Sequence, residues 1–292
     1  MRLSVENSEI RGKFGDIKAI EMIKKAGFDA LDYSFCSVEE TVCLIDDYKE
    51  YAQKLRDHMD NVGIVCNQAH APFRLSRFDA LNESEPHYLE IARSIESAAI
   101  LGAECIVVHP IYIPVGEIHN GMTYEEYNKL FYKSLEPYCK KFGIKIAVEN
   151  MFYLDEKRKC RRGMLHTMDE IRDMIESINS PYFIGCLDIG HIAITSSQEP
   201  EKFIEKMDSS IIRALHVHGN DYTFDNHQLP YIFDTNWENV MQALKKANYE
   251  GDLTYEICTF LKRFPSELSL EALKFAAVVG RHLINIFNNA KA

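Results

Sequence analysis

Hydrophobic and polar positions along this chain switch between two periods. The first instance is IKAIEMIKKAGFDALDY. Ile17, Ile20 and Ile23 recur at helical spacing, Gly27 stands where a left-handed cap would end the helix, and a short apolar run follows. The same phrase returns in YAQKLRDHMDNVGIVCNQAH, ARSIESAAILGAECIVVHP, YKSLEPYCKKFGIKIAVEN, MDEIRDMIESINSPYFIGCLDIGH, FIEKMDSSIIRALHVHGND and WENVMQALKKANYEGDLTYEI. A last amphipathic helix, LEALKFAAVVGRHLINIF, closes it. Eight runs read as strands: RLSVE, FDALDY, GIVCNQ, CIVVH, IKIAVE, FIGCLD, IRALHVH and LTYEI. Short apolar strands alternating with helices imply parallel βαβ units. Eight such units predict a (β/α)8 TIM barrel, taken as a single domain over residues 1–292 with no linker inside it. No glycine-rich phosphate loop follows the first strand, so neither a dinucleotide fold nor a nucleotide cofactor is expected.

Composition narrows the partners. Hydrophobic residues make up 46% and charged residues 26% of the chain, enough apolar material for a large core. The net charge of −11 repels nucleic-acid phosphates, and nucleic acid is not an expected partner. One basic run, KRKCRR from Lys157 to Arg162, could hold a phosphate; a solvated loop explains it more simply. The start, MRLSVENSEIRGKFG, has no basic-then-apolar leader pattern, and apolar stretches such as FAAVVG are too short to span a bilayer. Eight scattered cysteines without a C-x-x-C pair suggest reduced thiols, and a cytoplasmic location is the expectation.

The active site of such a barrel lies at the C-terminal strand ends. Those ends carry His70, His109, Glu149, Asp188, His218 and Glu256, from strands three to eight in succession. His191, Asp225 and His227 stand just beyond. Singly, each has a plain structural reading: a strand-end histidine is commonly a hydrogen-bonded core residue, and the glutamate of AVEN could cap the next helix. Together, Glu149, Asp188 and Glu256 would crowd three carboxylates at one rim. Such crowding raises their pKa values unless a cation neutralises them. A divalent ion with His218 as fourth ligand would do so. Mixed oxygen and nitrogen ligation suits Zn, Mn, Co, Fe or Mg alike. His216 shares the face of His218, one pleat deeper, and is read as a supporting residue. No cysteine is expected at the mouth. Phe14, Phe35, Phe73, Tyr112, Phe152 and Trp237 are candidates for aromatic walls against a sugar.

HAPF at His70, VVHP at His109, AVEN at Glu149, LDIGH from Asp188 to His191, HVHGND at His218, the NW pair ending at Trp237 and YEI at Glu256 occur in this order. In that order the chain resembles the xylose isomerase-like TIM-barrel superfamily of sugar isomerases, epimerases and endonuclease IV relatives (AP endonuclease family 2), over nearly its whole length. For the sugar enzymes, the resemblance implies one divalent metal on Glu149, Asp188, His218 and Glu256. It implies Glu149 and Glu256 as the acid–base pair working through an enediolate, and His70, His109, His191 and Trp237 as substrate contacts. The substrate would be a small carbohydrate, phosphorylated or not, and assembly into a homo-oligomer is left open. A dehydratase of an inosose-like ketone shares the same first step, and a sugar-binding barrel without catalysis is a further alternative. For the endonuclease relatives, three zinc ions are implied: His70, His109 and Glu149 for one, Glu149, Asp188, His218 and Glu256 for the next, and His191, Asp225 and His227 for the third. QLPYIF follows His227 here, where those DNA enzymes have a glycine-rich stretch. Ketose 3-epimerases carry an arginine past the metal histidine, and this chain has Tyr222, Thr223 and Phe224 there.

Overall fold

The computed structural model describes residues 1–291 except 37–41, 74–78, 114–118, 120, 155–159, 164 and 196–198, with backbone alone at 44 and 160–162. Eight strands carry the fold: β1 Leu3–Glu6, β2 Ala30–Ser34, β3 Val65–His70, β4 Cys105–Val108, β5 Lys145–Glu149, β6 Phe183–Asp188, β7 Ile212–His216 and β8 Leu253–Tyr255. They pair in parallel in the order β8-β1-β2-β3-β4-β5-β6-β7. The circle closes where Val217 pairs with Tyr255, through Val217 N–H to the Thr254 carbonyl at 2.9 Å and Glu256 N–H to the Val217 carbonyl at 3.2 Å. The protein is a (β/α)8 barrel, as the repeated helix–strand phrase predicts.

The strands lie within two residues of the runs read from sequence. Elements not foreseen include the short helices Ser8–Phe14, Ile189–Thr195 and Cys258–Lys262 and an antiparallel hairpin of Phe152–Leu154 and Cys160–Arg162 beyond β5. Arms of three residues are too short to show a period. Helix Asp16–Ala26 ends on Gly27 at φ 101°, whose N–H bonds the Ile23 and Lys24 carbonyls, so the glycine supplies the expected left-handed cap. Among the described residues no helix is long and apolar enough to cross a membrane.

Most buried apolar side chains form one core between the strands and the surrounding helices, from Leu3 to Phe287. The closing helix Ser269–Asn289 approaches β1 closely at Gly280, where a methyl group would lie 2.4 Å from Leu3 Cδ1 and 3.1 Å from Tyr255 Cε2. Gly280→Ala is therefore expected to lower the urea unfolding midpoint. Overpacking costs about 1–3 kcal/mol, against up to about 1 kcal/mol gained from helix propensity. An unchanged or raised midpoint would contradict this close fit.

The inside of the barrel is divided. Residues two apart on a strand share a face. Cys105, Val107, Ala147, Ile184, Cys186 and Ala214, on β4 to β7, form a small apolar cluster separate from the main core. Ser4, Asn67, Gln68, Asp32 and Thr254, from β8 to β3, form a buried hydrogen-bonded group on the other side. Above this floor the same alternation sets His109 two past Val107, Glu149 two past Ala147, Asp188 two past Cys186, His216 two past Ala214, His70 two past Gln68 and Glu256 two past Thr254.

Candidate metal centre

His70 and Glu149 are the last residues of β3 and β5, and His109 follows β4 directly. His70 Nε2 lies 3.0 Å from His109 Nε2, and His109 Nε2 lies 2.7 Å from Glu149 Oε2. His70 Nδ1 faces the Ala71 carbonyl at 2.9 Å. A carbonyl oxygen can only accept, so this bond puts the ring proton on Nδ1 and turns the Nε2 lone pair toward His109 and Glu149. Cys36 Sγ sits 3.1 Å from the same Nδ1. A cysteine therefore does reach the barrel mouth, contrary to the sequence expectation. It comes from the loop after β2, a strand whose end residues had not been considered.

The second and third groups meet at His218. Its Nε2 is 3.2 Å from Asp188 Oδ1 and 3.4 Å from Asp225 Oδ1. His191 Nε2 stands 3.7 Å from Asp225 Oδ1 and 4.0 Å from Asp188 Oδ2. His227 Nε2 bonds Asp225 Oδ2 at 2.7 Å and its Nδ1 lies 3.7 Å from Glu256 Oε2. Among the described residues the metal-capable sets include His70, His109 and Glu149; Asp188, His191 and His218; His218, Asp225 and His227; His70, His216 and Glu256; and Glu149, Cys186 and His216. Glu149, Asp188 and Glu256 each place an oxygen within reach of His216 Nδ1, at 2.6, 3.9 and 3.6 Å. All nine rim residues singled out in the sequence converge on one end of the barrel.

Charge balance at this rim differs from the simple crowding picture. Burial works against ionised Glu149, but His216 and His109 outweigh it and hold its carboxyl well below the usual range. Burial likewise opposes ionised Asp225, and His227 and His191 hold it down. Burial also opposes a charged His191 ring, yet Asp188 and Asp225 raise its pKa to about 10. His109 is moved down by its burial. The imidazoles thus supply countercharge by themselves, and carboxylate crowding alone does not require a cation. The stronger sign is that buried atoms without a well-formed hydrogen bond, Glu149 Oε2, Asp188 Oδ2, Asp225 Oδ1 and both nitrogens of His218, crowd against other ligand atoms. Buried polar atoms are normally satisfied. Buried atoms without a hydrogen bond also occur away from the rim, at Arg11 and Tyr255 among others, but the rim atoms are the ones that converge, and their oxygen and nitrogen chemistry fits a divalent cation.

Neighbours fix these groups in place. Asn150 Oδ1 accepts from Asp188 N–H at 2.7 Å, Asn150 Nδ2 donates to the Asp188 carbonyl at 3.0 Å, and the Asn150 carbonyl faces His191 Nδ1 at 2.8 Å. Asn220 Nδ2 donates to the Gly190 carbonyl at 2.7 Å. The asparagines of AVEN and HGND were visible in sequence, but nothing in their spacing showed what they hold. Also missed were Glu6, the last residue of β1, and its register partner Asp32 within β2, both buried. A lone carboxylate in or ending an apolar run was the available signal.

Of the six aromatic candidates, Phe73 and Phe152 reach the rim, with ring centroids 4.7 Å from His109 and 4.8 Å from His191. Phe35 and Trp237 belong to the main core, Phe14 packs against it, and Tyr112 is exposed. Trp237 is 1% exposed within that core. Lys157, Arg158 and Lys159 lie outside the described residues, as do the side chains of Arg161 and Arg162.

The family model of the xylose isomerase-like TIM barrel matches residues 20–278. The chain belongs to this family. Among curated relatives, the uncharacterized protein MJ1311 of Methanocaldococcus jannaschii is 30% identical over 245 residues, covering 82% of this chain and 78% of its own. Solved xylose isomerase-like barrels superpose along nearly the full length. A D-tagatose 3-epimerase-like protein matches with TM-score 0.71 at 22% identity, covering 99% of this chain and 98% of that one. The 3-keto-D-glucoside 4-epimerase YcjR of E. coli matches with TM-score 0.69 at 16% identity over 95% and 99%. The IOLI protein, solved with a bound zinc atom, matches with TM-score 0.68 at 16% identity over the whole of both chains. At these identities the likeness establishes the shared barrel.

Proposed function

We propose that this protein is a divalent-metal-dependent isomerase or epimerase of a small polyhydroxy substrate: a sugar, sugar acid or sugar phosphate. The observation that carries the reading is the convergence of orphaned ligand atoms beside two carboxylates from separate strands, Glu149 and Glu256. Glu149, Asp188, His218 and Glu256 would hold the cation. When bound, it would polarise neighbouring oxygens of the substrate and acidify the C–H between them. One carboxylate then takes that proton to leave an enediolate, and the other returns it, at the same carbon on the opposite face or at the next carbon. His191, held through Nδ1 by the Asn150 carbonyl, presents Nε2 to a substrate oxygen. His70 and His109 line the neighbouring wall with Phe73. The names of the epimerases that share this barrel point to the same chemistry.

A second reading has its own support, because the nine residues form overlapping sets rather than one. Three metals held by these sets would suit phosphodiester cleavage, since they would supply an acidified water and countercharge for a leaving oxygen. The acidic net charge weighs against a DNA substrate. The test is elemental analysis of purified protein together with deuterium wash-in from heavy water over a panel of sugars. One metal per chain with wash-in at a substrate carbon supports the isomerase. Three zinc ions with nicking of an abasic oligonucleotide supports the phosphodiesterase. Protein that takes up no metal and exchanges no proton overturns both.

A further inference from the structure

Below the rim, a line of buried polar side chains crosses the barrel from bottom to top. Ser4 Oγ donates to Asn67 Oδ1 at 2.7 Å, Asn67 Nδ2 to Thr254 Oγ1 at 3.1 Å, and Thr254 Oγ1 to Gln68 Oε1 at 3.2 Å. Gln68 Nε2 donates to Asp32 Oδ2 at 2.9 Å, and that oxygen faces His216 Nε2 at 3.2 Å. His216 Nδ1 then meets Glu149 Oε1 at 2.6 Å. The line joins β1, β2, β3, β5, β7 and β8, and every member is buried. Asn67 and Gln68 each use both ends of the amide, and the bond from Gln68 Nε2 to the Asp32 carboxylate, which can only accept when ionised, sets the direction of the line. The arrangement can hold a side chain at its top in one orientation.

We propose that Asp32 and His216 are positioning residues for Glu149, holding it so that Oε1 is engaged from below and Oε2 is turned toward the rim histidines His109 and His70. Two observations agree. Oε1 has the His216 bond, and Oε2 turns the other way, 2.7 Å from His109 Nε2 and 3.8 Å from His70 Nε2. The His216 ring is itself fixed in plane by stacking on His70, with centroids 5.6 Å apart and planes 16° from parallel. Asp32 does not face the rim cluster directly; it acts through His216. A ligand carboxylate free to rotate would bind a cation less tightly and in more than one way. This inference rests on the metal reading above.

The experiment uses the full chain stripped of metal, comparing Asp32→Ala, Asp32→Asn, His216→Gln and Asp32→Ala combined with His216→Gln. Zinc affinity is read by competition with a chelator, the ligand environment by the visible spectrum of the cobalt-loaded protein, and the fold by the thermal midpoint without metal. Asp32→Ala and His216→Gln are each expected to weaken zinc binding by about 10–100-fold and to alter the cobalt spectrum. Asp32→Asn, which keeps an acceptor for the ring, recovers most of the affinity. The double variant binds no more weakly than the worse single one, because both changes act on one orientation. If Asp32→Ala does not fold, His216→Gln and Asp32→Asn carry the same comparison. Wild-type affinity in folded variants, or losses that add in the double variant, overturns the proposal alone. A wild-type protein that binds no divalent metal overturns it together with the metal reading.

Discussion

Glu256→Gln is expected to stop proton exchange at the epimer whose proton Glu256 removes, while leaving the barrel folded. Glu256 follows β8 and is the more accessible of the two candidate acid–base carboxylates, with its side chain 17% exposed against 1% for Glu149. Its Oε2 lies 3.6 Å from His216 Nδ1 and 3.7 Å from His227 Nδ1, contacts that an amide oxygen can keep in part. An amide cannot take a proton from carbon. A positioned acid–base group supplies about 10²–10⁴-fold in rate, so wash-in of deuterium should fall by at least about that factor. Loss of ligand charge adds weaker metal binding, which saturating metal corrects and lost proton transfer does not. Glu149→Gln removes exchange at the other epimer but disturbs more, because it leaves the buried His109 and His216 rings without their carboxylate. In an epimerase the two variants differ by face: each blocks removal of the proton from one epimer. The measurement is mass-spectrometric exchange on both epimers, with a thermal melt as fold control. Full exchange on both epimers by a folded Glu256→Gln protein at saturating metal removes Glu256 from the mechanism.

The barrel was legible because its signal is repeated and local. Each helix carries its own 3.6-residue period and each strand its short apolar run, so Gly27 and the run FIGCLD could be placed without knowledge of the rest. The rim was legible because the barrel fixes where strand ends go, and His70, Glu149 and Asp188 needed only their position in the run. Other features depend on distant neighbours. The partnership of Asp32 and His216 spans 184 residues and follows from the closed sheet, not from any motif. Cys36 reaches His70 because the loops after β2 and β3 lie side by side above the sheet. Trp237 carries an aromatic signal that suits a sugar wall or a core equally, and its burial in the main core follows from packing that its own sequence neighbourhood does not reveal. The countercharge from histidines was missed for a related reason. Sequence gives the number of ionisable groups at a rim, while their pairing depends on distances of a few ångströms.

Gly190→Ala is expected to damage the site more than its size suggests. Gly190 lies in LDIGH, within the short helix Ile189–Thr195, and the His218 ring rests directly on it. A methyl group there would fall 2.0 Å from His218 Cε1, 2.3 Å from Nε2 and 2.6 Å from Nδ1. In an exposed helix, replacing glycine by alanine gains up to about 1 kcal/mol. Here the added carbon meets a buried ring, and overpacking costs about 1–3 kcal/mol. Gly190 cannot withdraw easily, since its carbonyl accepts from Asn220 and the preceding Asp188 is pinned on both sides by Asn150. The ring must therefore move, and with it the Nε2 atom that faces Asp188 and Asp225. Metal affinity should drop by more than the about 10–100-fold typical of a lost supporting residue, and the thermal midpoint of the metal-free protein should fall. A paired variant separates the two effects. Gly190→Ala with His218→Ala removes the clash, so its thermal midpoint should rise above that of Gly190→Ala alone while metal binding stays weak. If Gly190→Ala binds zinc as wild type does, His218 does not hold the metal in the position this structure gives it.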